Sequence, residues 1–401
     1  MNNAIQSFNL SEIPTILESL GQPRFRAKQL TSWLYQKGAH SYDEMTNLPK
    51  SLRDVLSDEY PLIEPQVVNK QVSNDGTRKY VFEYADGAKV EAVGIPSFDK
   101  KERKDEPKHL TVCFSTQAGC AMGCTFCATG HEGLTRNLSS AEMICQIIAV
   151  QNDFSCRVTN LVSMGQGEPF QNYQATLEAL RFTNAKDGLE IGARHITVST
   201  CGIIRGIERL ANEPEQFTLA VSLHSALQDV RNEIMPRCSN IPLPHLKKAL
   251  RSYIEKTGRR VSFEYLLIKG VTDTEENLAA LIDFCDGLLC HVNLLSVNEV
   301  EGSPYKPSST ATQQRWVKGT EKRRQGSHYP QFARKRYRRS LRSTEKQNVE
   351  NGKIGTGTRF PPNKQGPAYD ETRERGPGFV HYGRQWGNLV PVPIFPLATL
   401  Q

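Results

Sequence analysis

The 401-residue chain has no apolar run after Met1 and no stretch long enough to span a bilayer. Secretion and membrane insertion are therefore not expected, and the expected location is the cytoplasm. Cysteine is missing from both ends of the chain: all ten lie between Cys113 and Cys290, with no regular pairing spacing. Without a secretion signal, that distribution excludes a disulfide framework and points to reduced thiols and metal ligation. Excess positive charge is missing too, except at one end. The formal charge is +7, but of the 50 basic and 43 acidic residues, 18 and 6 lie from Ser308 onward. The tail thus carries +12 and the first 307 residues −5, so the global basicity is no sign of a nucleic-acid surface on the rest.

What is present divides into four stretches. Residues 1–68 read as a small helical unit, with apolar positions at helical spacing in Phe25–Leu34 and again in Asp43–Leu56. Residues 69–109 switch to strand alternation. Lys79–Tyr84 and Lys89–Val93 flank a turn at Asp86-Gly87, a hairpin signal, and a charged loop runs from Ser97 to His109. Residues 110–307 alternate apolar runs (Leu110–Phe114, Thr159–Met164, His195–Thr200, Phe217–Leu223, Val261–Ile268, His291–Val297) with helical stretches such as Ser139–Gln151 and Leu243–Lys256. Six such units predict an α/β fold, a partial (β/α)6 barrel whose chemistry sits at the carboxyl ends of its strands. Residues 308–401 have no Cys or Met, few aliphatics and an Arg-rich run at Arg334–Arg339, so disorder is expected there.

The chemistry concentrates in Gly119-Cys120-Ala121-Met122-Gly123-Cys124-Thr125-Phe126-Cys127. Three thiolates spaced CxxxCxxC just past a strand can take three corners of a [4Fe–4S] cubane and leave the fourth iron open. Structural zinc favours four protein ligands in CxxC pairs, and no second pair exists here. Further on, Gly167-Glu168-Pro169 follows a strand. Alone it would be an ordinary turn, but a glycine there admits a ligand to the backbone and a carboxylate can hold an ammonium group.

These motifs, in this order, resemble the radical S-adenosylmethionine (SAM) superfamily, and within it the RlmN/Cfr family of adenosine methyltransferases. The resemblance covers about residues 20–307. It is carried by Phe25-Arg26-Ala27-Lys28-Gln29, Val90-Glu91-Ala92-Val93, the cysteine motif with Ala128-Thr129-Gly130, Ser163–Pro169, Ile196–Thr200, Ser222-Leu223-His224 and Val292–Leu295. It implies a radical-SAM barrel, a [4Fe–4S] cluster on Cys120, Cys124 and Cys127, and SAM held by Gly167, Glu168, Ser199, Ser222, Leu223, His224 and Asn298. Taken singly, each polar residue in that set could equally be a satisfied core group.

The family's chemistry parks a methyl on a cysteine near the C-terminus. A radical made from a second SAM takes a hydrogen from that methyl, and the resulting carbon adds to an electron-poor adenine carbon. A second cysteine resolves the adduct by forming a disulfide, and a base removes the ring proton. By resemblance Cys113 is the resolving cysteine and Glu91 the proton acceptor. Cys113 can also be read as a buried strand cysteine. Alternation leaves Glu91 facing either solvent or a site.

The expected function is methylation of adenine carbon 2 in 23S rRNA and tRNA by a monomer fed by flavodoxin or ferredoxin. The RNA would enter over the barrel mouth past Arg24–Lys28, a charge run that is otherwise a solvated face. The alternatives are a Cfr-type carbon-8 enzyme, a non-catalytic RNA- or cofactor-binding remnant, and an iron–sulfur electron carrier. The methyl-carrying cysteine has no counterpart here, since no cysteine follows Cys290. Together with the shift in composition after Pro307, this raises the expectation that the tail is read out of frame. A natural basic RNA-binding tail is the alternative.

Overall fold

The structure, a computed structural model, describes residues 3–98, 107–297, 304–321 and 331–332. Its strands are β1 (Gln66–Val72), β2 (Arg78–Glu83), β3 (Lys89–Ser97), β4 (His109–Cys113), β5 (Gln117–Gly119), β6 (Leu134–Asn137), β7 (Val158–Ser163), β8 (Ile196–Thr200), β9 (Thr218–Ser222), β10 (Val261–Leu267), β11 (Cys290–Ser296) and β12 (Gln331–Phe332). Ten of them form one sheet in the order β1-β2-β3-β4-β7-β8-β9-β10-β11-β12, and β5 pairs with β6 separately. From β4 to β12 every pairing is parallel, while β1, β2, β3 and β4 pair antiparallel. The six expected barrel strands are β4, β7, β8, β9, β10 and β11. They carry near-continuous apolar runs because both faces of a parallel sheet are covered.

Helices return the chain between these strands. Ser139 opens Ser140–Phe154 with a reciprocal cap: its hydroxyl accepts from Glu142 N at 3.2 Å, and the Glu142 carboxylate accepts from Ser139 N at 2.8 Å. Two short helices that the apolar pattern did not announce, Ile204–Leu210 and Gln228–Ile234, follow β8 and β9. The N-terminal unit is helical as expected, with Ile13–Ser19, Phe25–Thr31 continued by a π turn at Ser32–Gln36, and Lys50–Glu59. Its helical part stops earlier than residue 68, because β1 begins at Gln66. The hairpin is continuous with the barrel sheet rather than an appendage, since β3 pairs with β4 from Val93–Cys113 to Ser97–His109.

One expectation is corrected. Structure does not stop at Pro307: Ile268 bridges Pro307, and Thr310–Glu321 is a helix. Its Trp316 is fully buried, 5.1 Å from the Tyr265 ring, and its indole N–H donates to Asp273 O at 3.1 Å. A single large aromatic suffices to dock this turn despite the polar residues around it. Trp316→Ala is expected to cost about 3–5 kcal/mol in urea denaturation of the whole chain. An unchanged midpoint would show the helix to be dispensable.

Candidate functional site

The cysteine loop is shaped by its own backbone. Gly119 ends β5 at φ +75°, and a Cβ there would lie 2.0 Å from Gly133 O, so only glycine fits. Cys120 N donates to Gly133 O at 2.8 Å, Cys127 N to Cys124 O at 3.0 Å, and Thr125 N to Ile234 O at 3.0 Å. The loop is thus fastened to the end of the helix Gln228–Ile234. All three cysteines are half-buried and free. Each lies within the field of another, and burial pushes Cys120 up to about 11 and Cys124 well above the usual thiol range. Among the described residues no three His, Cys, Asp or Glu side chains converge tightly enough for a single metal ion. Thiols that each take a different iron of a cubane need not converge so closely.

Glu168 stands beside this loop, 3% exposed. Burial raises its pKa, while hydrogen bonds from Cys201 N (2.7 Å) and Phe170 N (3.0 Å) to its carboxylate oppose the rise. Gln117 fixes the turn from behind: its Oε1 accepts from Glu168 N at 2.8 Å. Gly167 has φ +101°, and a Cβ there would meet Gln117 at 2.6 Å. Ser199 and Ser222 come at the carboxyl halves of β8 and β9. Leu223 is fully buried in the main core, so only its backbone is left to meet a ligand. His224 sits at φ +57° with its ring edge-on to Phe126 at 4.9 Å, and its Nδ1 has no partner. Burial, aided by the charge of Arg231, depresses it to about 3, so the ring is neutral. Asn298 lies outside the described residues.

The face of Glu91 is now decided. Val90 and Ala92 belong to the main core, whereas Val93, Ile95, Cys113 and Val162 form a separate cluster on the other side of the sheet. Glu91 shares that inner face by alternation. Its carboxylate is 8% exposed as a residue and pairs with Lys79 Nζ at 2.5 Å. Burial raises its pKa, and Lys79 pulls the other way. Burial also pushes the Cys113 thiol up to about 12, with the negative charge of Glu91 contributing. Burial raises the pKa of Cys127 too, and the negative charge of Glu91 contributes to that rise. Sequence reading missed Lys79, Gln117 and Arg231. Of the basic run, Arg24 pairs with Glu18 at 3.1 Å, and Arg26 donates to Asn47 O at 2.9 Å, leaving Phe25 exposed between them.

This arrangement has relatives. Residues 4–61 match the family model of the ribosomal RNA large subunit methyltransferase N-terminal domain, and residues 114–282 that of the radical SAM superfamily. A probable dual-specificity RNA methyltransferase RlmN of Clostridium novyi is 42% identical over 308 residues, 76% of this chain and 87% of that protein. Its namesake from Alkaliphilus oremlandii is 44% identical over 304 residues, 76% of this chain and 86% of that one. The chain belongs to the RlmN family. The crystal structure of a radical SAM methyltransferase from Sphaerobacter thermophilus superposes with a TM-score of 0.76 at 40% identity, covering 83% of this chain and 96% of that one.

RlmN proteins, as radical SAM enzymes, work with a [4Fe–4S] cluster and SAM. The residues present fit both: three half-buried free thiols on one loop, a buried carboxylate beside them, and a buried guanidinium whose Nε and Nη1 have no partner. No helix among the described residues is long and apolar enough to cross a membrane.

Proposed function

We propose that this chain is by descent a methyltransferase for carbon 2 of adenine in 23S rRNA and tRNA, built on a methyl-cysteine relay whose methyl-carrying cysteine it lacks, since no cysteine follows Cys290. One observation carries the reading: the buried carboxylate of Glu91 lies two residues along β3 from Val93, the residue paired with Cys113, on the same face of the sheet. When bound, the cluster and SAM supply the radical that activates a methyl group. Cys120, Cys124 and Cys127 hold the cluster, and Glu168 with the Gly167 backbone holds the cofactor's amino-acid end. Ser199, Ser222, the Leu223 backbone, His224 and Asn298 line the rest. The named relatives' dual specificity supports the two RNA substrates, and a flavodoxin or ferredoxin would supply the electron.

Glu91 would accept the proton lost from the ring carbon. The Cys113 thiolate, its own proton gone to a neighbouring base, would bond to the relay cysteine's sulfur as the bond from that sulfur to the transferred carbon breaks. The electron pair stays on that carbon, which takes up a proton to become the methyl group. A thiol buried as Cys113 is stays protonated until a neighbour takes its proton, which protects it between turnovers. Nucleoside analysis of the methylated RNA tests the reading. On a chain that carries the relay cysteine, 2-methyladenosine supports it and 8-methyladenosine overturns it.

The Lys79–Glu91 pair makes a pH prediction. A base works only when ionised, burial favours its neutral form, and Lys79 opposes that. Lys79→Met therefore removes the opposing charge. The acid limb of the pH–rate profile, measured on a chain that carries the relay cysteine, is expected to move to higher pH with its alkaline plateau retained. An unmoved limb would mean that Glu91 is not the group titrating.

A further inference from the structure

Arg231 lies in the third turn's worth of residues after β9, on the helix Gln228–Ile234, and is completely buried. Its Nη2 donates to Cys201 O at 2.5 Å, but Nε and Nη1 have no hydrogen-bond partner. No carboxylate among the described residues lies within 4.0 Å of it. The Glu168 carboxylate accepts from Cys201 N, on the other side of the residue whose carbonyl Arg231 holds, so that charge reaches Arg231 only across Cys201. A buried cation without a direct counterion is costly. Arginine cannot escape the cost by losing its proton. A negatively charged group bound beside it would offset that cost.

The surroundings say what. Three residues further on, Ile234 O accepts from Thr125 N at 3.0 Å, which brings this helix directly under the cysteine loop. The charge of Arg231 is felt at the thiols of Cys124 and Cys238, and at His224. Met122, Cys201, Ile234, Met235 and Cys238 wall this corner off from water, with Cys120, Cys124 and Phe126 at its edge. A cation held in so dry a corner acts strongly on any charge that arrives. The arriving charge is the three-thiolate cluster, whose ligands are deprotonated only when metal binds.

We propose that Arg231 is a positioning residue for the [4Fe–4S] cluster, its two unused N–H donors and buried charge balancing the cluster and favouring its reduced form. This rests on the assignment of Cys120, Cys124 and Cys127 as cluster ligands. A positive charge beside an iron–sulfur centre stabilises the state with one more electron and so raises the reduction potential. The same charge destabilises the cluster-free protein.

The test uses the full chain, with and without anaerobic reconstitution, as Arg231→Gln and Arg231→Lys. Glutamine keeps a donor for Cys201 O and drops the charge, whereas lysine keeps the charge. For Arg231→Gln the cluster's midpoint, followed by EPR in a mediated titration, is expected to fall by at least 59 mV, a tenfold loss of reduced cluster at fixed poise. Arg231→Lys is expected to stay closer to the parent. The cluster-free Arg231→Gln protein should melt no lower than the cluster-free parent. A midpoint unchanged in Arg231→Gln, or a cluster-free protein that melts lower with an unchanged potential, overturns the proposal and leaves Arg231 as a brace for the Cys201 carbonyl. If the parent chain itself takes up no cluster, it is the ligand assignment that fails instead.

Discussion

Replacing Cys120, Cys124 and Cys127 together by alanine is expected to abolish iron and sulfide binding, and with it every SAM-dependent change in the EPR spectrum. The fold should survive, because the loop is held by backbone hydrogen bonds to Gly133 and Ile234 rather than by its side chains. Each thiol is half-buried, so truncation to alanine leaves little cavity. In the parent protein a cluster held by three thiolates would keep an iron free for SAM, so SAM is expected to change the reduced cluster's signal. The informative failure would be partial. Cys201 and Cys238 lie in the same corner, both buried. If the triple variant keeps iron and sulfide, the cluster is carried by those thiols and the CxxxCxxC assignment is wrong.

How much of this could be read in the sequence follows from where the signals are local. The six barrel strands were legible because each parallel strand is apolar through its length and ends at a helix. The cysteine loop and Gly167-Glu168 were legible because their meaning lies in short spacing. Glu91 was not: β3 is buried on both faces from Val90 to Pro96, so alternation carries no polarity to read, and only its pairing with β4 decides the face. Lys79 reaches Glu91 diagonally across the β2–β3 pairing, where Val81 is the residue opposite Glu91. Arg231 looks like the solvent side of a short polar helix, Gln228-Asp229-Val230-Arg231-Asn232-Glu233. Its side chain is instead turned onto Cys201 O, and the same helix carries the cysteine loop through Thr125 N and Ile234 O, more than 100 residues apart in sequence. The tail misled by averaging: its polar composition is real, yet Trp316 alone holds the first turns against Tyr265.

That anchor sharpens the last prediction, which is that the purified chain cleaves SAM reductively but methylates no RNA until its reading frame is restored. The residues assigned to the cluster and to SAM are present in the sequence, whereas no cysteine follows Cys290 to carry the methyl. Similarity to the Clostridium novyi relative takes in 87% of that protein but 76% of this chain, as expected if the shared sequence breaks off inside the tail. The two-residue pairing of β12 with β11 is a backbone contact that any sequence can make, whereas Trp316 packs as a core residue, which places the proposed break after it. Beyond it, Gly326–Glu345 can be encoded so that the frame one base on reads Ala-Ala-Thr-Ile-Arg-Asn-Ser-Arg-Gly-Ser-Asp-Ile-Ala-Gly-Ala-Cys-Gly-Gln-Leu. That resembles the family's relay segment, with its cysteine codon straddling Leu341 and Arg342. Codon degeneracy allows the match to be favoured, so the gene itself decides. Its codons from 316 onward must yield Ala-Cys-Gly-Gln-Leu in the next frame, or the idea is dead and the basic tail is native. If they do, removing one base between codons 316 and 326 should turn an enzyme that only makes 5′-deoxyadenosine into one that leaves 2-methyladenosine in RNA. Methyl transfer by the chain as written would overturn the prediction at once, because some other thiol would then be carrying the methyl.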